Sequence, residues 1–165
     1  MTVSLTGFMG CGKSSVGRRL AALLQGYEFI DLDSYIEDNE CRSISSIIFE
    51  DGIEAFRTLE SKYLKMILDK GGDTILSLGG GTVTTAECEE MVRSRTVCIY
   101  LKASYEELVR NLSESTSRPL LKDGPEKIRE LLEARIPIYE RVSHHIITTE
   151  GKYPMELARE AASVI

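Results

Sequence analysis

The chain alternates short β-branched apolar runs with longer stretches in which apolar residues recur every three or four positions. Thr2–Thr6 is such a run and predicts a strand; Val16, Leu20, Leu23 and Leu24 then repeat at helical spacing until Gly26 ends the helix. Residues 28–32 supply a second strand, and Ser34-Tyr-Ile-Glu37 fits a capping box that opens a short helix. Phe56, Leu59, Tyr63 and Ile67 share one face of a longer helix, which Gly71 and Gly72 terminate, and residues 74–78 form a third strand. The run at 96–101 is almost unrelieved apolar, the pattern of a strand buried on both faces of a parallel sheet. Ser104-Tyr-Glu-Glu107 caps the next helix. Residues 113–124 are polar, carry Pro119 and show no period, so they read as a mobile loop, and Pro125 suits the first turn of the helix behind it. A last strand at 145–148 and a last helix at 155–164 complete the chain. Strands alternating with helices predict an α/β fold around a central parallel sheet.

Composition narrows this without redirecting it. A chain of 165 residues has the size of one domain, expected here over 1–165, and its 42% hydrophobic and 28% charged content is ordinary for a globular protein. No apolar run approaches the ~20 residues of a membrane span. The first motif begins at Gly7 and leaves no room ahead of it for a cleaved secretory leader, so the expected location is the cytosol. Cys11, Cys41, Cys88 and Cys98 form no C-x-x-C pair, and reduced thiols are expected. A net charge of -6 argues against nucleic-acid binding, which needs a basic face, and means that an anionic substrate must be caught by local arginines.

Chemistry enters at Gly7-Phe-Met-Gly-Cys-Gly12-Lys13-Ser14, which fits G-x-x-x-x-G-K-[ST] between a strand and a helix. Glycines let the backbone curl so that its N–H groups face phosphates, and the helix N-terminus adds a favourable dipole. Gly10, Cys11, Gly12, Lys13, Ser14 and Ser15 are the expected nucleotide contacts, with Lys13 reaching the β/γ-phosphates, Ser14 the magnesium, and Cys11 acting as a small filler rather than a reactive thiol. The loop alone leaves a GTPase, a nucleotide kinase and a metabolite kinase open. The guanine-reading N-K-x-D is missing, because neither Asn39 nor Asn111 is followed by lysine. Asp69-Lys-Gly-Gly72 matches D-x-x-G in letters only, since it falls at a helix end.

Phe29-Ile-Asp31-Leu-Asp33 is expected to put two carboxylates on one side of the end of the second strand, one to hold magnesium through water and one to accept a hydrogen bond from a substrate hydroxyl. Standing alone, the pair leaves open the blander reading of two solvated loop acids. It is followed in order by Phe56-Arg57 with Glu60, Gly79-Gly80-Gly81, Arg118-Pro119-Leu-Leu and Arg135-Ile-Pro137-Ile-Tyr139. Together these closely resemble shikimate kinase, over essentially the whole chain.

The resemblance implies the nucleoside-monophosphate-kinase-like P-loop fold: a five-stranded parallel sheet flanked by helices, a substrate-binding region at about 33–60 and a mobile lid at about 112–124. It implies that ATP, with Mg2+, phosphorylates the 3-hydroxyl of shikimate on the route to chorismate and the aromatic amino acids. Asp33 is similar to the family aspartate that binds the ring hydroxyls and serves as base, and Asp31 to the one that meets magnesium indirectly. Arg57 and Arg135 resemble the arginines that clamp the substrate carboxylate, a role that suits the bidentate guanidinium fork. Gly79, Gly80 and Gly81 resemble the turn against the substrate, and Arg118 resembles the lid arginine that, with Lys13, steadies charge on the transferred group. Arg110 is aligned with an adenine-stacking position that often falls one residue later, on Asn111 here. The family's adenine loop carries an acid where this chain has Ile147-Thr148-Thr149 ahead of Pro154. His144 and His145 read as structural. Two other readings stay in view: a kinase of the same fold for another metabolite such as gluconate, and a module that binds ATP without turnover. No apolar stripe is left over, so a monomer is expected.

Overall fold

Five parallel strands, β1 (Thr2–Thr6), β2 (Glu28–Asp31), β3 (Thr74–Ser77), β4 (Val97–Lys102) and β5 (His145–Thr148), stand in the order β2-β3-β1-β4-β5. This computed structural model describes residues 1–114 and 124–165. The three central strands are the apolar ones: all four residues of β3 are buried, as are positions 3–6 of β1 and 98–101 of β4. They are covered on both faces by helices, the arrangement a parallel sheet requires.

Helix α1 (Lys13–Leu23) crosses the sheet through Val16, Gly17 and Leu20. Gly17 lets it come close, since a Cβ there would lie 2.5 Å from the Phe29 ring of β2. Among the described residues the remaining helices are α2 (Leu32–Glu40), α3 (Ile44–Asp51), α4 (Ile53–Lys70), α5 (Ala86–Arg95), α6 (Tyr105–Ser113), α7 (Pro125–Val142) and α8 (Pro154–Ala162), with one 3-10 turn at Thr82–Thr84.

The sequence reading needs correction at the end of β2. The strand stops at Asp31 instead of running to 32, and Asp31 rather than Ser34 caps α2, accepting the Ser34 N–H at 3.2 Å. The carboxylates of Asp31 and Asp33 are therefore a cap and a first-turn helical residue, not two positions on one strand face. Leu32 explains the turn, because its fully buried side chain enters the core as the chain bends into the helix. Glu37 serves another joint, accepting the Ile44 N–H at the start of α3.

Helices α3 and α5 were not anticipated. Each buries too few residues to print a helical period: Ile47 alone on α3, and Cys88 and Val92 on α5. Ser104 does cap α6, taking the Glu107 N–H, and Pro125 does open α7. His144 has a structural contact, with Nδ1 accepting the Cys98 N–H at 3.0 Å.

Candidate active site

Because β2, β3 and β1 are neighbours, three strand ends meet at one edge of the sheet, and each delivers a different chemistry. β1 runs into the glycine loop, where Gly10 and Gly12 hold φ of 85° and 92°, a backbone conformation that side-chain-bearing residues rarely adopt. Lys13 is buried at the start of α1, and its Nζ donates to the carbonyls of Gly7 at 2.8 Å and Phe8 at 3.0 Å. Cys11 packs into the hydrophobic core.

β2 delivers Asp31, which accepts a hydrogen bond from the Ser14 hydroxyl, with the Ser77 hydroxyl of β3 3.4 Å from Ser14 Oγ. A carboxylate and two hydroxyls at the mouth of a phosphate loop are hard oxygen donors of the kind Mg2+ takes in part, with waters and phosphate oxygens completing its shell. The residues present fit that ion.

In the first turn of α2, Asp33 is unlike its neighbour. Its Oδ1 is buried and accepts no hydrogen bond from the described residues. Burial first, then the charges of Asp31 and Glu60, push its pKa from 3.8 to about 6, against the opposing pull of Lys13. A carboxyl so placed is poised to take a proton near neutrality.

β3 delivers the glycine turn. A Cβ on Gly79 would stand 2.8 Å from Asp33 Oδ1, and one on Gly81 2.2 Å from Arg57 Nη2, so the backbone here is packed directly against the functional side chains. Arg57 comes from α4, where Glu60 one turn later accepts its guanidinium N–H. The second oxygen of Glu60 takes the Thr82 hydroxyl at 2.6 Å, leaving this carboxylate paired although it is 1% exposed. Arg135 comes from α7; its guanidinium lies over the Phe8 ring, 5.8 Å from the centroid, and its buried Nη1 has no hydrogen-bond partner among the described residues.

These groups line one cavity of about 1010 Å3. Gly10, Gly12, Lys13, Ser14, Ser15 and Asp31 form one end; Asp33, Arg57, Gly79, Gly80, Gly81 and Arg135 form the other. Ile44, Ile48 and Phe49 of α3 and Ile53 of α4 make an apolar wall, and Phe49 is 92% exposed at its mouth. Buried polar groups without partners are uncommon, and Asp33 and Arg135, which carry one each, both line this space. Two guanidiniums beside a glycine phosphate loop, with a carboxylate between them, are the groups that phosphoryl transfer onto an anionic alcohol calls for.

Residues 9–165 match the shikimate kinase family model. The chain belongs to the shikimate kinase family. It is 46% identical over 161 residues to a shikimate kinase of Chlorobaculum tepidum, covering 91% of this chain and 83% of the relative, and 38% identical over 154 residues to one of Dictyoglomus turgidum, covering 92% and 89%. Shikimate kinase from Acinetobacter baumannii in complex with shikimate superposes with a TM-score of 0.92 at 33% identity, over 99% of this chain and 91% of that one. A gluconokinase from Sinorhizobium meliloti 1021 reaches a TM-score of 0.63 at 16% identity, over 98% of this chain and 89% of that one, a likeness of fold alone.

Not every family-derived expectation falls at this shikimate kinase cavity. Arg110 is exposed on α6 and does not line it; its neighbour Asn111 donates to the Gly10 carbonyl at 2.8 Å instead. Thr149 is buried and donates to Glu107 at 2.8 Å, tying the loop after β5 to α6. Arg118 lies outside the described residues, as does most of the expected lid. The sequence assigns no task to Glu60 and gives no sign of Ser77, Thr82 or the apolar wall. Only the i, i+3 spacing of Arg57 and Glu60 could have signalled the pair.

Proposed function

We propose that the cavity binds ATP·Mg at its glycine-loop end and shikimate at its arginine end, and that the γ-phosphoryl group passes in line to the shikimate 3-hydroxyl, giving shikimate 3-phosphate and ADP. The observation that carries this reading is Asp33, a carboxylate with a free buried oxygen and a raised pKa, held between Lys13 and the two arginines.

The Asp33 carboxylate accepts the acceptor hydroxyl's hydrogen bond, orients its oxygen and takes its proton as the new P–O bond forms. Arg57 and Arg135 hold the substrate carboxylate, fixing the ring so that the hydroxyl points along the cavity. Lys13 leaves the loop carbonyls for the phosphate oxygens and, with Arg118, steadies charge on the transferred group. Ser14 and Asp31 hold Mg2+, which when bound offsets the phosphate charge. The apolar wall from α3 excludes water from the transfer. The enzyme is read as one cytosolic kinase domain, active as a monomer, with residues 33–60 serving the acid and 112–124 the lid.

An assay of ADP release with ATP·Mg and shikimate, run beside gluconate, quinate and nucleoside monophosphates, tests the reading. Turnover with shikimate alone is expected. Equal turnover with another acceptor, or none with any, overturns it.

A further inference from the structure

The Arg135-Ile-Pro137-Ile-Tyr139 segment holds a residue for which the phosphoryl transfer just described has no task. Tyr139 is fully buried, one turn after Arg135 on α7, with its ring against Tyr100 of β4 at 5.1 Å between centroids. Such a position would suit phenylalanine as packing. Yet the side chain carries a hydroxyl, and that hydroxyl donates to the carbonyl of Gly80, 59 positions earlier in the chain. Burial raises the phenol pKa well above its ordinary range, so the group stays a donor at any working pH.

The Gly80 carbonyl is an informative place to be held. A Cβ on Gly80 would meet Met9 N of the phosphate loop at 3.3 Å and Arg135 Nη1 at 3.6 Å, so this peptide is wedged between the two ends of the cavity. Glycine has no side chain with which to fix its own place. On the other flank, Thr82 and Thr84 tie down the rest of the turn through Glu60 and the Gly81 carbonyl. Tyr139 provides the matching side-chain tie at Gly80, from the same helix that carries Arg135.

We infer that Tyr139 is a positioning residue for the acid-binding end of the cavity: its hydroxyl sets the Gly80 peptide against Arg135, so that backbone and guanidinium are presented together to the substrate carboxylate. It acts through Gly80 and Arg135 and does not itself touch the substrate. The inference rests on the proposed reading of that end as the shikimate subsite.

Tyr139→Phe removes the donor and keeps the ring and its packing on Tyr100. Its expected signature is a split: KM for shikimate raised about tenfold, KM for ATP within twofold, kcat within about threefold, and a cooperative melt retained. Tyr100→Phe is the control, since it removes a buried phenol oxygen from the same aromatic pair without touching Gly80, and its shikimate KM should stay within twofold of wild type. In an Arg135→Ala background Tyr139→Phe should add less than twofold, because the group it positions is gone. An unchanged shikimate KM in Tyr139→Phe, an equal rise in Tyr100→Phe, or fully multiplicative effects with Arg135→Ala would each overturn the inference. Failure of the wild-type chain to turn over shikimate would overturn the underlying reading instead, so the two failures are distinguishable.

Discussion

Glu60 sits one helical turn beyond Arg57 and grips it from behind, one carboxylate oxygen on the guanidinium and the other on the Thr82 hydroxyl. The arginine proposed to meet the substrate carboxylate is thus already paired and aimed by a buried carboxylate of the protein. Arg57→Ala should do more than weaken shikimate binding. It leaves Glu60 buried with Thr82 as its remaining donor and should destabilise the fold by about 2–3 kcal/mol. Adding Glu60→Gln to that variant should restore part of the stability and none of the affinity. Thermal melts of the two variants beside their shikimate KM values check both halves.

Asp33 predicts a pH dependence whose sign follows from its raised pKa. As the base it must be ionised, so kcat/KM for shikimate should climb through an acid limb centred near pH 6 and level off above it. Asp33→Asn should lose nearly all turnover. The same shift acts on stability in the opposite sense. The folded carboxyl ionises near 6 and the unfolded one near 3.8, so the cost of holding the charge is absent below 3.8, grows across that window and is full above 6. Asp33→Asn should therefore be more stable than wild type at pH 8 by about 1–2 kcal/mol, allowing for solvent at the cavity mouth, and no more stable at pH 3.5. Unchanged stability at pH 8 would remove the strain assigned to this residue.

The same carboxylate shows where sequence reasoning stops. The phosphate loop was legible because it is a local motif whose residue types name their chemistry, whereas the two arginines and the glycine turn took their expected roles from the family resemblance, arginines being common on solvated helix faces. The Asp31–Asp33 pair was legible as chemistry but placed on the wrong element, since nothing in Phe29-Ile-Asp-Leu-Asp tells whether Leu32 continues the strand or turns inward to start a helix. Burial of that one side chain decides it, and burial depends on elements distant in the chain. Thr82 and Tyr139 are harder still, because their partners, Glu60 and Gly80, lie 22 and 59 positions earlier in the chain. The three central strands were readable for the converse reason, being short local runs dominated by apolar and β-branched residues.

Asp31 has two tasks, capping α2 through one oxygen and receiving Ser14 through the other, and two substitutions separate them. Asparagine also caps helices, whereas alanine at such a position costs about 1 kcal/mol. Asp31→Asn should keep the melting temperature within a few degrees while raising the Mg2+ concentration for half-maximal rate about tenfold. Asp31→Ala should lose both. Chelation of divalent ions should abolish turnover in every variant and leave the wild-type melt without nucleotide unchanged. A full Mg2+ response in Asp31→Asn would remove this residue from the metal site.

Gly81 offers a test of the arginine clamp that leaves the arginine in place. Its φ of -108° is open to any residue, so Gly81→Ala carries no backbone strain. What an added methyl meets is the Arg57 guanidinium, with Nη2 2.2 Å from the ideal Cβ and the central carbon 2.7 Å away. That tip is held by Glu60, itself tied to Thr82, so Arg57 can make room only by leaving its hydrogen-bonded position. A small surface methyl would be silent, while one that displaces the clamp should raise the shikimate KM about tenfold or more and leave nucleotide binding within twofold. Combining Gly81→Ala with Arg57→Ala removes the obstructed group, and the second change should then add little to the first. If Gly81→Ala instead impairs ATP as much as shikimate, the turn serves the phosphate loop and the arginine end of the cavity is not the acid site.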